Sequence, residues 1–287
     1  MNQPRTDKEI MGLILKFARQ DERIRVVGLN GSRVNSNAPK DRYQDYDVAF
    51  LVTDMESFKK GDHWLHVFGP RIIIQKPEAM SLFPPTLGNW FSYLMLLEDG
   101  NRIDIMLIPI NELDVYLKDD SLTMILLDKD KIVSHLPEPS DETHWVKKPS
   151  PQYVHDCCNE FWWLATYVAK GLLRREILYA IDHLYLMRQQ LLTMISWKVG
   201  LENYFSVSIG KNLKYLADFI PADEFASLLA TYSNNSLTAV AESSNNCQAL
   251  FRSVSRFVSD EMGYAYPDYD EKVTGYLNSL NIGSALR

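Results

Sequence analysis

Two aspartates and a glycine-serine pair near the start of the chain have the residue types and spacing to bind a phosphate together with a metal ion. Asp45 and Asp47 flank one tyrosine in QDYDVAFLV, and Gly31 and Ser32 lie upstream in VVGLNGS. Two carboxylates on one face of a strand repel each other unless a cation lies between them. Mg²⁺ is the natural cation, because it binds a few carboxylates and fills its other positions with water and substrate phosphate.

A third carboxylate, Asp104, lies inside the apolar segment RIDIMLI. On a strand next to the first two acids it would supply a further oxygen ligand or a base. A glycine that closes a strand lets backbone N–H groups approach a phosphate, and a neighbouring hydroxyl adds a donor. The alternative is that Asp45 caps a turn and Asp47 forms a surface ion pair, as in most isolated Asp-x-Asp pairs. The upstream Gly31-Ser32 pair favours a metal site for phosphoryl or nucleotidyl transfer.

The first half of the chain contains the elements that must position these residues. Apolar residues at helical spacing predict a helix over residues 6–19, with Thr6 or Asp7 as its N-cap. The segments IRVVGLNG and YDVAFLV predict strands on either side of a polar loop, and RIIIQK predicts a third strand. The segments FSYLMLLE and NRIDIMLIPI predict a hairpin, because the Asp99-Gly100 pair between them suits a tight turn.

The second half of the chain has a different pattern. From about residue 150 to 200 the sequence is almost free of internal Gly and Pro, which predicts two long helices, and PADEFASLLATYS and NCQALFRSVSRFVSDEMG predict two more. The predicted fold is α+β, with a mixed β-sheet flanked by helices in a first domain, residues 1–145. An α-helical bundle forms the second domain, residues 146–287.

The composition excludes several classes of protein. The chain has 287 residues and a formal charge of -7, which argues against broad binding to a nucleic-acid backbone because that needs a basic surface. Its three cysteines, two of them adjacent, form neither a Cys-x-x-Cys metal pattern nor an even disulfide framework. There is no signal-peptide pattern and no apolar segment of membrane-spanning length. We expect a cytoplasmic protein, a monomer, with no nucleic-acid and no membrane partner.

Longer segments carry a resemblance to a known family. The pattern LNGSR, then DYDVAFLV, then RIDIMLI resembles the signature of the DNA polymerase beta-type nucleotidyltransferase superfamily. Seven segments spread over nearly the whole chain look like those of the aminoglycoside 6-adenylyltransferases, namely DERIRVVGLNGSR, QDYDVAFLVTDMESF, QKPEAMSLFPPTLGNWFSY, CCNEFWW, AIDHL, GKNLKYL and YPDYDE. The resemblance implies an enzyme that transfers AMP from MgATP to a hydroxyl of streptomycin, at position 6, and releases pyrophosphate. It also implies antibiotic resistance as the biological role, with ATP as co-substrate and Mg²⁺ as cofactor.

The resemblance assigns roles to residues of the first half. It implies that Gly31 and Ser32 hold the nucleotide triphosphate, with Arg33 as a further phosphate partner. It implies that Asp45 and Asp47 bind Mg²⁺ shared with ATP. Asp104 falls at the position of the family's third acid, a metal ligand or the general base, and we favour the base. A carboxylate near Mg²⁺ is a weak base, but the metal also acidifies the hydroxyl that it must deprotonate.

The second half supplies the remaining candidates. By resemblance, Lys211 in SIGKNLKYL would pair with triphosphate oxygens, and Tyr232 would add a hydroxyl donor. Streptomycin carries two guanidinium groups, and such cations call for acidic and aromatic partners. Glu160 and Asp182 are the acids that we select, and Trp163 lies three residues after Glu160 on nearly the same helical face. Of the adjacent Trp162 and Trp163, at least one must belong to the core.

Two other classes of function are weighed against this one. A nucleotidyltransferase of the toxin type would modify a protein or an RNA, and the acidic composition argues against RNA. A non-catalytic nucleotide-binding module would bind ATP without magnesium dependence, and the presence of all three acids argues against it. A purely structural helical adaptor would leave the Gly-Ser and Asp-x-Asp patterns unexplained.

Overall fold

The structure is a computed structural model that describes residues 3–286. Its internal contacts divide the chain into two compact units, the first ending at Thr143 and the second beginning at His144. The sequence analysis put this boundary between residues 145 and 146. The first unit contains a mixed β-sheet with helices and the second is α-helical, so the predicted α+β fold class is confirmed.

In the described part of the sheet unit, six strands form one sheet in the spatial order β3-β4-β5-β2-β1-β6. Only the central pair, β2 and β5, is parallel among the strand pairs of the described chain, and the other neighbours are antiparallel. The strands are β1 (Ile24–Asn30), β2 (Tyr46–Val52), β3 (Arg71–Gln75), β4 (Phe91–Leu97), β5 (Arg102–Pro109) and β6 (Thr123–Asp128). Because β2 and β5 run in the same direction, residues at the start of both strands lie at the same edge of the sheet.

The α-helices of this unit, within the residues that the structure describes, are α1 (Asp7–Gln20), α2 (Met55–Lys59) and α3 (Leu113–Asp119). Helix α1 begins at a capping box in which Thr6 accepts from the backbone of Glu9 while Glu9 accepts from the backbone of Thr6. Ile10 and Ile14 of α1 pack in the same core cluster as Phe50 of β2. Leu51, the next residue along β2, packs with α3 on the other face of the sheet. Strand β2 is therefore buried on both faces, as its apolar run predicts.

The predicted hairpin of β4 and β5 turns at Asp99-Gly100. Gly100 has a φ of +84°, a conformation that costs glycine little because it has no Cβ. Strand β6 was not predicted. It is a short edge strand of six residues, most of which are only partly buried.

The helical unit contains α4 (Pro151–Leu173), α5 (Ile177–Glu202), α6 (Ala222–Leu229), α7 (Leu237–Met262), α8 (Tyr269–Ser279) and α9 (Ile282–Ala285). Helices α4 and α5 are the two predicted long helices, and α7 begins nine residues before the predicted segment. In the core, Phe161 of α4 stacks on Phe251 of α7 with ring centroids 3.6 Å apart. Cys157, Cys158 and Cys247 are buried free thiols. No helix formed by residues 3–286 has the length and apolar character needed to cross a membrane.

Candidate active site

Asp47 lies on the central strand pair of the sheet, near the end of the pair at which β2 and β5 both begin. It is directly opposite Asp104 of β5 on one side and Asn30 of β1 on the other. Residues that are cross-strand partners point to the same face. A cavity of about 170 Å³ lies over this point, lined in part by Asn30, Asp47, Ser92 and Asp104. The structure thus brings together two of the three predicted carboxylates on neighbouring strands.

Asp45 lies one residue before β2 rather than inside it. Its carboxylate is about one third exposed, and it lies close enough to Asp47 to act on its charge. The prediction that Asp45 and Asp47 share one face of a strand requires an extended segment from residue 45 onward. The position of a strand end is easily wrong by one residue. Asp45 therefore joins the other two acids from the loop that precedes the strand.

The Asp47 carboxylate is in an unfavourable environment for a negative charge. Burial raises its pKa to about 6, and the neighbouring charges of Asp104 and Asp45 add to the effect. No hydrogen bond or ion pair from another residue within 3–286 reaches this carboxylate in the structure. A half-buried carboxylate next to two others is stabilised by a cation, and such perturbed groups cluster at functional sites.

Gly31 leaves room for this carboxylate. Its φ is +72°, and a Cβ added at this position would lie 2.6 Å from Oδ2 of Asp47. Its backbone N–H donates to the carbonyl oxygen of Leu122 at 3.2 Å. The glycine that the sequence analysis linked to phosphate thus has a geometric role towards the acid, since any side chain would displace the Asp47 carboxylate.

A guanidinium group lies beside the acids. Arg102 donates to Asp104 through Nε at 3.1 Å and Nη2 at 2.8 Å, and its Nη1 lies 3.6 Å from Oδ2 of Asp45. Within residues 3–286, no three or more His, Cys, Asp or Glu side chains are grouped in an arrangement that holds a metal ion. Mg²⁺ needs only one or two carboxylates when phosphate and water complete its shell. The Asp47 carboxylate, which has no ion-pair partner within residues 3–286, fits such a site. The Arg102 guanidinium beside Asp104 fits it too, because it shows that these acids attract a positive charge.

The loop before β2 is held by two basic residues. The Arg33 guanidinium donates to the carbonyl oxygens of Asp45 and Gln44 and pairs with Asp7, and it lies 3.4 Å from the ring centroid of Tyr46. Lys40 donates to three backbone carbonyl oxygens, among them that of Ser32 at 3.2 Å and that of Arg33 at 2.9 Å. These bonds fix the position of Asp45. A phosphate contact by Arg33 would compete with them and stays a prediction.

Two candidates for nucleotide binding lie in the helical unit. Lys211 is exposed at the start of a short 3₁₀ turn, after Gly210, which has a φ of +73°. Tyr232 is 48% exposed, and its ring covers the guanidinium of the buried Arg188 at 4.1 Å from the ring centroid. Arg188 also donates through Nε to the hydroxyl of Thr231 at 3.0 Å. Both candidates are accessible, and Arg188 fixes the turn that carries Tyr232.

The three acceptor candidates are exposed on two adjacent helices. Glu160 and Trp163 lie on α4 and Asp182 lies on α5, and these two helices pack against each other. Trp163 is 58% exposed, whereas Trp162 is 1% exposed and belongs to the core. The expectation that one of the two tryptophans is a core residue is therefore confirmed. A partly exposed tryptophan one turn from a carboxylate can accept a planar cation on its ring face.

Three residues that shape these sites were missed from the sequence. Arg102 is two residues before Asp104, and the same-face rule for strands would have found this pair. Lys40 and Arg188 give no such signal, because their partners are backbone carbonyl oxygens or a residue far along the chain.

Comparison with known proteins identifies the class to which this fold and site belong. The family model described as streptomycin adenylyltransferase matches residues 4–280. The aminoglycoside 6-adenylyltransferase of Bacillus subtilis (strain 168) is 49% identical over 278 residues, which are 96% of this chain and 98% of that protein. The enzyme of the same name from Campylobacter jejuni is 46% identical and covers 95% of both chains. The chain therefore belongs to the streptomycin adenylyltransferase family. It is a nucleotidyltransferase.

A relative from Staphylococcus aureus and a solved structure extend the comparison. The aminoglycoside 6-adenylyltransferase of Staphylococcus aureus is 44% identical over 277 residues, 96% of this chain and 98% of that protein. The crystal structure of an aminoglycoside 6-adenyltransferase from Bacillus subtilis is 45% identical and matches 96% of this chain and 98% of that one, with a TM-score of 0.48.

Proposed function

We propose that the protein transfers the AMP group of MgATP to the hydroxyl at position 6 of streptomycin, releases pyrophosphate and so confers resistance to the antibiotic. The observation that carries the proposal is the in-register pair of Asp47 and Asp104, next to a glycine with no room for a side chain. The names of the three relatives support an aminoglycoside acceptor and position 6. A cytoplasmic location, where ATP is available, is part of the proposal.

The proposed reaction is an in-line displacement at phosphorus. The acceptor hydroxyl oxygen forms a bond to the α-phosphorus while the bond from that phosphorus to the pyrophosphate oxygen breaks. Asp104 takes the hydroxyl proton on a carboxylate oxygen, and Arg102 must release that oxygen first. Asp45, Asp47 and Asp104 are the residues that would hold Mg²⁺. Mg²⁺ held by these residues would supply positive charge that neutralises the triphosphate during the transfer.

The sheet unit, residues 1–145 in the sequence analysis, is the proposed ATP- and Mg²⁺-binding domain. We assign the triphosphate to the segment that begins at Gly31 and Ser32, with Arg33 as a further partner. Lys211 and Tyr232 are proposed to contribute an ammonium group and a hydroxyl to triphosphate binding. The exposed Lys211 supports this, because a mobile ammonium group binds phosphate well as a point charge.

The helical unit, residues 146–287 in the sequence analysis, is the proposed acceptor-binding domain. Glu160, Trp163 and Asp182 would receive the cationic groups of the antibiotic, and their exposure on packed helices supports this role. Carboxylates bind guanidinium through two parallel hydrogen bonds, which fixes the orientation of the acceptor as well as its affinity. The orientation in turn decides which hydroxyl reaches the phosphorus.

Mass spectrometry of streptomycin after incubation with MgATP tests the proposal. The expected result is a mass increase of one adenylyl group together with release of pyrophosphate, and the position of the new bond follows from fragmentation. A parallel reaction with EDTA should give no product. Turnover of ATP with unmodified streptomycin, or labelling of the protein or of RNA instead, would contradict the proposed acceptor. ATP binding with no turnover in the presence of any aminoglycoside would contradict an enzymatic function.

A further inference from the structure

Polar residues form a row across four neighbouring strands of the sheet, and the two acids of the candidate site are only one end of that row. Asp104 of β5 is opposite Asp47 of β2, which is opposite Asn30 of β1. Asn30 is in turn opposite Thr123 of β6. Cross-strand partners point to the same face of a sheet, so all four side chains share one face. The row therefore continues beyond the acids into a neutral end, formed by Asn30 and Thr123.

The neutral end of the row contains a chain of hydrogen bonds that runs in one direction. The hydroxyl of Thr123 donates its single proton to the carbonyl oxygen of Asp120 at 2.7 Å. It must therefore accept from the Asn30 side chain, whose Nδ2 lies 2.7 Å away. The carboxamide oxygen of Asn30 points the other way, where it accepts from the hydroxyl of Tyr116 at 2.8 Å. We call Tyr116, Asn30 and Thr123 the Asn30 network.

Tyr116 of α3 lies over this end of the row in a space that Gly28 leaves open. Gly28 is two residues before Asn30 on β1, so the two residues lie on the same face. A Cβ added at Gly28 would overlap the hydroxyl oxygen of Tyr116 and lie 2.7 Å from its ring carbon Cζ. Tyr116 is 2% exposed, and burial raises the pKa of its hydroxyl, which therefore keeps its proton and donates it. A buried hydroxyl needs such a partner, because burial without one is costly.

The Asn30 network ends at the turn to which the triphosphate is assigned. Asn30 is the last residue of β1, and the 3₁₀ turn Gly31–Arg33 follows it directly. The backbone N–H of Gly31 donates to the carbonyl oxygen of Leu122 at 3.2 Å, and Nδ2 of Asn30 lies 3.4 Å from the same oxygen. The Asn30 side chain and the start of the turn are thus attached to one point before β6. Because Gly31 touches the carboxylate of Asp47, a displacement of the turn changes its distance to the acids.

We propose that Tyr116 is a positioning residue for nucleotide binding, whose hydroxyl orients Asn30 so that Asn30 fixes the turn Gly31–Arg33 relative to the acids. Each polar side-chain atom of the Asn30 network already has a hydrogen-bond partner within the protein. Asn30 lines the cavity over the acids, whereas Tyr116 does not, so Tyr116 acts through Asn30 and not by contact with the nucleotide. The inference rests on the proposed function and adds a residue on which the affinity for MgATP depends.

Tyr116→Phe tests the positioning role, because it removes the hydroxyl and keeps the ring. Loss of this hydrogen bond should raise the Kd for a non-hydrolysable ATP analogue with Mg²⁺ about 3- to 10-fold, measured by isothermal titration calorimetry. The KM for ATP should rise by the same factor, and the KM for streptomycin should not change. Thr123→Val removes the acceptor at the other end of the Asn30 amide and should have the same effect. Thr123→Ser keeps that hydroxyl and should bind the analogue as tightly as the unmodified protein.

Tyr93→Phe is the matched control, because Tyr93 is another buried tyrosine of the sheet unit. It is 1% exposed, packs in the core cluster on the other face of the sheet, and has its hydroxyl oxygen 3.4 Å from the carbonyl oxygen of Phe58. The Kd of Tyr93→Phe for the analogue should equal that of the unmodified protein. An unchanged Kd in a folded Tyr116→Phe protein would overturn the positioning role, as would an equal loss of affinity in the two tyrosine variants.

The unmodified protein shows which of the two proposals fails. If it binds no ATP analogue in the presence of Mg²⁺, the proposed function fails and the positioning role of Tyr116 fails with it. If it binds the analogue and adenylylates streptomycin while Tyr116→Phe has the same Kd and the same KM for ATP, only the positioning role fails.

Discussion

Two carboxylates, the buried Asp270 in the helical unit and the half-buried Asp47 in the sheet unit, have opposite surroundings. Asp270 is 1% exposed and accepts hydrogen bonds from Arg252, from the hydroxyl of Tyr266 at 2.9 Å and from the hydroxyl of Thr274 at 3.2 Å. Burial alone would raise its pKa, but the hydrogen bonds from Arg252 and Tyr266 outweigh burial and lower it. In Asp47 burial and two neighbouring acids act in the same direction and raise the pKa.

The difference separates a structural acid from an active-site acid. Asp270 attaches α8 to α7 through a complete set of donors, so its charge is compensated within the fold. Asp47 has no such donors among the described residues, and the fold tolerates the cost at the point where a divalent cation and a triphosphate are proposed to bind. Local instability of this kind is common where a site must be ready for a ligand.

Loss of the Asp47 charge should have the largest effect on activity. Asp47→Asn should lower kcat for adenylyl transfer by about 10²- to 10³-fold or more, because the proposed metal ligand is gone and no neighbour replaces it. The circular dichroism spectrum and the melting temperature should show an intact fold. Glu98→Gln, an exposed acid near the hairpin turn, is the matched control and should keep full activity. A folded Asp47→Asn protein that releases pyrophosphate at the normal rate would contradict the assignment.

Loss of the Asp270 charge should act on stability instead. Asp270→Asn leaves the Arg252 guanidinium without its carboxylate partner and with only the hydroxyl of Thr274 as an acceptor among the described residues, and breaking a buried pair in this way costs about 3–5 kcal/mol. Chemical denaturation should show this decrease in the free energy of unfolding. Asp268→Asn removes an exposed acid that pairs with Lys272 and should change the free energy of unfolding by no more than about 1 kcal/mol. Equal effects of the two substitutions would show that Asp270 is not a structural centre.

The pH dependence of the free energy of unfolding should reveal the raised pKa of Asp47. The pKa of Asp47 is about 6 in the folded protein against 3.8 for the ordinary side chain. Between these values the folded state binds more protons than the unfolded state, so the contribution of Asp47 to stability falls as the pH rises. The fall amounts to at most about 3 kcal/mol and is complete above pH 6. The free energy of unfolding of Asp47→Asn should therefore rise relative to that of the unmodified protein between pH 4 and pH 6. A difference that stays constant over this range would contradict the raised pKa of Asp47.

The smallest predicted effect concerns Arg102. Its side chain is 46% exposed, so Arg102→Gln should lower the free energy of unfolding by no more than about 1 kcal/mol at pH 8, because Asp104 and Asp45 lose a nearby cation. Addition of Mg²⁺ should restore the melting temperature. Arg25→Gln, which breaks a pair with Asp130 away from these acids, should cause a similar loss that Mg²⁺ does not restore. Identical responses of the two variants to Mg²⁺ would argue against a cation site at the acids.

The sequence predicted the central strands well because their signals are local. Strand β2 has the predicted bounds, and the Asp99-Gly100 turn fixes the hairpin that places Asp104 next to Asp47. Strand β6 and helix α8 were missed. Strand β6 is partly exposed and short, and α8 is held to α7 by the Asp270 network, which joins residues about 18 positions apart. A local pattern contains no information about such partners.

The residue types of the candidate site were predictable, but their electrostatic state was not. Asp-x-Asp after a Gly-Ser pair indicated a cation site from spacing alone. Three features depend on the tertiary structure, namely the absence of donors to Asp47 within residues 3–286, the Arg102 pair with Asp104 and the contact of Gly31 with the Asp47 carboxylate.

The most direct test of the central claim is the titration of the Asp47 carboxyl carbon by NMR, with Asp47→Asn used to assign its signal. Without divalent cations, we expect a pKa near 6, well above that of an ordinary aspartate. Saturating Mg²⁺ with a non-hydrolysable ATP analogue should move it below 4, since a bound cation favours the charged form. The claim is that this carboxylate binds the metal ion of a metal-bound nucleotide. It would be contradicted by a pKa near 4 without the metal, or by a pKa that Mg²⁺ and nucleotide leave unchanged.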